Sequence, residues 1–211
     1  PYALGVNSCT AALHLGLQAA GVQEGDEVIT TPIGFAASAN VIEHLGARPV
    51  FVDVRSQDLN VDVNLIPAAV TPRTRAILPV HLAGNPCDMA PLSALAAQLG
   101  LPVVVDAAHA VGAQYHGQRI GELGDYAAYS FYATKPITTA EGGMLTTSHA
   151  DQAGRLRTVS LHGLSRDAWE RYGYETYRHW EIVAAGYKYN MYDVQAALGL
   201  AQLQRSDEFW R

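Results

Sequence analysis

Six short apolar runs punctuate the chain: EVITT at 27–31, PVFVD at 49–53, AILPV at 76–80, PVVVD at 102–106, YAAYSF at 126–131 and GMLTT at 143–147. They are rich in β-branched residues and often uninterrupted rather than alternating. That pattern fits strands buried on both faces, as in a mostly parallel sheet flanked by helices. Between them lie stretches with helical spacing, at 10–20, 35–45, 91–99, 151–160 and 192–205, several closed by a glycine such as Gly21, Gly46 or Gly100. The alternation predicts an α/β fold. Residues 163–187, rich in Tyr, Trp, Arg and Glu, break the rhythm and contain no clear strand, so they are expected to form a long functional loop or a subunit contact.

Composition narrows the function classes. With 211 residues, 49% of them hydrophobic, the chain can build one large domain around a substantial core. A net charge of −6 without clustered Lys and Arg argues against nucleic acid as a partner. Cys9 and Cys87 are far apart, and no C-x-x-C or His spacing suggests a disulfide framework or a metal site, so free reduced thiols are expected. No apolar run reaches the roughly 18 to 20 residues that span a bilayer, and no signal-peptide pattern is seen. A soluble, cytoplasmic protein with no membrane partner is expected. The chain begins at Pro1 and stops just after a helical pattern, which suggests a fragment.

Three stretches carry candidate chemistry. In GVNSCTAALHLGL a strand and turn lead into an almost wholly apolar helix, whose first amides, with Ser and Thr hydroxyls, form a ready anion site; an ordinary N-cap by Ser8 or Thr10 is the plainer alternative. In PVVVDAAHAVGA, Asp106 ends the most apolar strand, where open α/β sheets place ligand contacts. It either caps the following turn or holds a cation, a ring nitrogen or a metal, while His109 could stack on or hydrogen-bond a ligand. In SFYATKPITTAEGGMLTT, Lys135 follows another strand end. Of fourteen basic residues only Lys135 and Lys188 are lysine. A free lysine, with a pKa near 10.4, is neutral about once in 10³ at pH 7, so a nucleophilic amine must be desolvated or already bound covalently. Lys135, Asp106 and the helix start together supply a covalent tether, a partner for a pyridinium nitrogen and a phosphate cup, the groups that pyridoxal 5'-phosphate requires.

With NSCTAALHLGLQAAGVQEGDEVIT, FAASAN, GARPVFVDV, TPRTRAILPVHLAGNPCDM, VVVDAAHAVGA, SFYATKPITTAEGGM, SLHG and GYKYNMYDVQAALGLAQL in this order, the chain resembles the DegT/DnrJ/StrS sugar aminotransferases over essentially its whole length. The resemblance implies the large domain of the fold-type-I pyridoxal phosphate enzymes across residues 1–211, with the natural start and a smaller C-terminal domain missing. It implies that Thr10 and Ala11 hold the cofactor phosphate with help from Ser130, that Phe35 stacks on the ring, and that Asp106 pairs with its nitrogen. His109 would lie beside the ring's phenolic oxygen, and Lys135 would be the lysine bound to the cofactor. Asn190 would reach the phosphate of a neighbouring subunit, so a homodimer with shared sites is implied.

The substrates implied are a nucleotide-linked 4-keto sugar and an amino-acid donor, usually glutamate, in the making of lipopolysaccharide or related surface polysaccharide. Relatives that deoxygenate their sugar carry histidine where this chain has Lys135, so retention of lysine favours transamination. Cys9 replaces a more usual glycine and Pro136 a frequent asparagine, and neither change removes a chemical group. Two other readings are a truncated pyridoxal phosphate-binding or regulatory module without catalysis, and a nicotinamide-dependent Rossmann enzyme. The last lacks a G-x-G-x-x-G after the first strand.

Overall fold

Every one of the six apolar runs contributes a strand. The computed structural model describes residues 1–165 and 181–209. In chain order its elements are β1 (Tyr2–Val6), α1 (Cys9–Ala19), β2 (Glu27–Thr30), α2 (Ala37–His44), β3 (Arg48–Phe51), α3 (Ile66–Ala69), β4 (Thr74–Ile77), α4 (Met89–Leu99), β5 (Val104–Asp106), β6 (Gln114–Tyr115), β7 (Gln118–Arg119), β8 (Tyr126–Ser130), β9 (Gly143–Thr147), α5 (Ala150–Ser160), α6 (Asp193–Leu203) and α7 (Ser206–Phe209). The five anticipated helices are α1, α2, α4, α5 and α6. The four-residue α3 and the two-residue strands of the β6–β7 hairpin are too short to leave a periodic signal.

A three-stranded portion, β3-β2-β4, and a four-stranded portion, β5-β8-β9-β1, are joined by parallel bridges from Ile77 to Val103 and from Val80 to Asp106. Pairing is parallel from β3 through β8 and antiparallel at β8–β9 and β9–β1. The switch has a local cause: β9 follows β8 through a loop with no crossover helix, and a parallel return would need one.

Alternate residues of each central strand enter opposite layers. Val104, Tyr126, Ala128 and Leu145 pack with Leu13, Leu15 and Leu17 of α1, Val41 and Ile42 of α2, and Leu156 and Val159 of α5. Ile29, Ile77, Val103, Val105 and Ala127 pack instead with Met89, Leu92 and Ala96 of α4. Both faces are therefore apolar, which is why these strands read as continuous hydrophobic runs. Helix α1 is buried from Ala11 through Leu17, and each of its fully buried leucines is worth about 2 kcal/mol of transfer free energy.

The topology gathers several chain ends at one edge of the sheet. Because β1, β5 and β8 run the same way, their carboxyl ends lie together, and antiparallel β9 begins there: Gly143 is in register with both Val6 and Ser130. Helix α1 starts at this edge, directly after β1. A Cβ on Gly143 would lie 2.4 Å from the Ser8 carbonyl carbon and 2.5 Å from the Cys9 nitrogen, so only glycine lets β9 approach the start of α1.

Of the 163–187 segment, residues 166–180 lie outside the described residues, and the expectation of a long loop or subunit contact falls mainly on them. The residues on either side of that stretch pair with each other: Ser165 N–H donates to Glu181 O at 2.8 Å, and Val183 N–H to Gly163 O at 2.8 Å. No described helix is long and apolar enough to cross a membrane.

Candidate active site

A cavity of about 650 Å³ opens at the shared carboxyl edge of the strands, within the size range of small-molecule and cofactor sites. Thr10, Phe35, Asp106, His109, Ser130 and Lys135 all line it. Two expected residues do not. Ala11 is buried behind the helix start, and its N–H donates to Ser8 Oγ at 3.1 Å. The plainer alternative for Ser8, an N-cap with extended backbone, is thus what it does. Thr10 and the amides ahead of Ala11 remain to face an anion, since the first N–H groups of a helix have no intrahelical acceptor.

Asn190 lies outside the cavity wall, bridged to Val6 at the sheet edge. Its side chain accepts from Lys188 Nζ and donates to Met191 O at 3.2 Å. Lys188 is exposed and away from the cavity, so of the two lysines only Lys135 lines it.

Asp106 combines both alternatives that the sequence left open. Its Oδ1 accepts from Ala108 N–H at 3.1 Å, capping the turn, and its Oδ2 accepts from Ser38 Oγ at 2.5 Å. The carboxyl group is buried, and burial pushes its pKa up, against the pull of the Ser38 and Ala108 hydrogen bonds and of His109 and Lys135. Each oxygen keeps a free lone pair. A buried carboxylate of this kind is stabilised by a cation brought against it.

Lys135 is half-buried in the loop after β8, and its backbone N–H donates to Tyr132 O at 2.9 Å. Its Nζ lies 2.6 Å from His109 Nε2. Burial, followed by the Lys135 charge, lowers the His109 pKa, while Asp106 raises it. Cys9 also lines the cavity, and removal from water, with Asp106 nearby, pushes its thiol well up, which keeps it protonated and a poor nucleophile. Among the described residues no group of His, Cys, Asp and Glu could hold a metal ion.

Sequence reading missed two buried groups. Ser38 is one, because its bond to Asp106 spans 68 positions and no local pattern announces it. The other is His81, 1% exposed, whose Nδ1 accepts from Cys87 N–H at 3.1 Å while its Nε2 has no partner among the described residues.

The donor set fits pyridoxal phosphate: a primary amine, a buried carboxylate with acceptor capacity to spare, an aromatic face 79% exposed at Phe35, and a helix start with free amides, all on one cavity. Fold and site together define the large-domain architecture of the pyridoxal phosphate-dependent transferases. The profile of the DegT/DnrJ/EryC1/StrS aminotransferase family matches residues 1–211, and the chain belongs to that family.

The spore coat polysaccharide biosynthesis protein SpsC of Bacillus subtilis is 52% identical over 207 residues, which are 98% of this chain and 53% of that protein. The PLP-form of Spr1654 from Streptococcus pneumoniae superposes with a TM-score of 0.89 at 35% identity, covering 99% of this chain and 56% of that one. DesI, solved in the presence of its TDP-sugar product, gives a TM-score of 0.86 at 36% identity, over 99% of this chain and 50% of that one. The chain spans about half the length of the curated relatives it matches.

Proposed function

We propose that this chain is the cofactor-holding domain of a pyridoxal phosphate-dependent aminotransferase that moves an amino group from an amino acid, glutamate by preference, to a nucleotide-linked 4-keto sugar. The observation that carries the reading is the meeting of Lys135, His109 and Asp106 in one cavity with the start of α1. SpsC, named for polysaccharide biosynthesis, and DesI, solved with a TDP-sugar product, support the substrate class.

Bound pyridoxal phosphate supplies an electron-withdrawing ring that stabilises negative charge on the carbon losing a proton. Asp106, as a carboxylate, would hold a proton on the ring nitrogen, and that positive charge would in turn favour the ionised Asp106. Thr10, Ser130 and the amides opening α1 would hold the phosphate, and Phe35 would cover the ring. Lys135 would tether the cofactor and, once released from it, would act as the base, its Nζ taking the proton from the amine-bearing carbon of the donor and later giving one to the carbon of the acceptor. His109, 2.6 Å from Lys135 Nζ, holds the amine in place within the cavity.

Asn190, at the sheet edge, reaches the site of a second subunit in this reading. The working unit is then a homodimer, which sedimentation velocity of the loaded chain would report as twice the chain mass. The functional test is spectral. Glutamate added to the coloured, loaded chain should bleach its visible band with release of one equivalent of 2-oxoglutarate, and a nucleotide-linked 4-keto sugar should restore it. A binding module without turnover is the second reading. A stable yellow chain on which glutamate has no effect would select that module instead.

A further inference from the structure

Ser38 lies in the first turn of α2, three residues after Phe35, and its N–H donates to Phe35 O at 3.2 Å. A serine so placed ordinarily turns its hydroxyl to nearby backbone or to water. Here Oγ reaches across to the end of β5 and donates to Asp106 Oδ2, with both side chains buried. Ala108 N–H holds the other oxygen. One donor on each oxygen fixes the rotation of the carboxylate, and one of the two, Ser38, belongs to the segment that carries Phe35.

We propose that Ser38 is a positioning residue: its hydroxyl sets the orientation of the Asp106 carboxylate and ties it to the Phe35 segment, so that the ring-pairing acid and the ring-facing aromatic are placed as one unit. This rests on the reading that Asp106 meets the cofactor's ring nitrogen. Asp106 is faced by Ser38 from α2, the Ala108 amide and His109 from its own strand end, Lys135 from the loop after β8, and Cys9 from the start of α1. The first four favour the charged carboxylate and burial opposes it.

The test compares wild type with Ser38→Ala and Ser38→Thr in two arms. In the cofactor-free chain, the Asp106 carboxyl carbon is titrated by carbon-13 NMR. Loss of a hydrogen bond to the charged form moves the midpoint up in Ser38→Ala, and the threonine hydroxyl brings it back. In the second arm, pyridoxal phosphate binds about tenfold more weakly to Ser38→Ala, as expected for a lost hydrogen bond to a charged group, and Ser38→Thr restores it. A wild-type chain that takes up no pyridoxal phosphate overturns the reading of the site, and with it the role of Ser38. A wild-type chain that takes it up, while Ser38→Ala matches it in either arm, overturns the role of Ser38 alone.

Discussion

Asp106, Thr10, His109 and Lys135 were legible from local pattern because they stand at or just beyond a strand end or helix start, whereas Phe35 and Ser130 were expected through the family resemblance; all six line the cavity. Ser38 was not, because its partner lies 68 positions away, and His81 was not, because its burial is set by tertiary packing although its one partner, the Cys87 N–H, is local. His81 makes a prediction of its own. Burial holds its pKa down to about 4, against about 6.5 for an unhindered imidazole. The unfolded chain therefore takes up this proton first as pH falls. The stability tied to neutral His81 is whole above about pH 6.5 and is lost progressively down to about pH 4, by about 3 kcal/mol in all. His81→Asn keeps an oxygen for Cys87 N–H and removes the titration, so urea unfolding should show a shallower decline across this window. An unchanged slope would mean that some other group carries it.

At the scale of elements, the strand and helix pattern was readable because a sheet covered on both faces leaves continuous apolar runs. What could not be read was the closeness of β9 to the start of α1, which depends on a glycine that the sequence presents only as half of a Gly-Gly pair. Gly143→Ala pushes a methyl group into the Ser8–Cys9 backbone, and neither neighbour is a flexible side chain. It should cost about 3 kcal/mol by thermal or urea unfolding and weaken cofactor uptake, because the amides proposed to hold the phosphate move with that backbone. Gly154→Ala is the control: it lies inside α5 with nothing within 4 Å of the added carbon, and should stabilise by up to about 1 kcal/mol. Equal effects of the two substitutions would contradict the close-approach account.

For the whole molecule, the family and the α/β class followed from residues distributed along the entire chain, whereas Asn190 marks a boundary. In one chain it is engaged by Lys188 and Met191, outside the cavity. Helix α6, which follows it, buries none of its residues, and Val194, Leu198, Leu200 and Leu203 are exposed.

The central claim is that the cavity at the carboxyl edge of the sheet binds pyridoxal phosphate through Lys135, and one measurement addresses it directly. The purified chain is loaded with pyridoxal phosphate, reduced with borohydride, digested, and the modified peptide sequenced by mass spectrometry. The account predicts a visible band that borohydride bleaches irreversibly and a single label on Lys135, absent from Lys135→Ala. A chain that stays colourless with added cofactor, or a label found on Lys188, would contradict it.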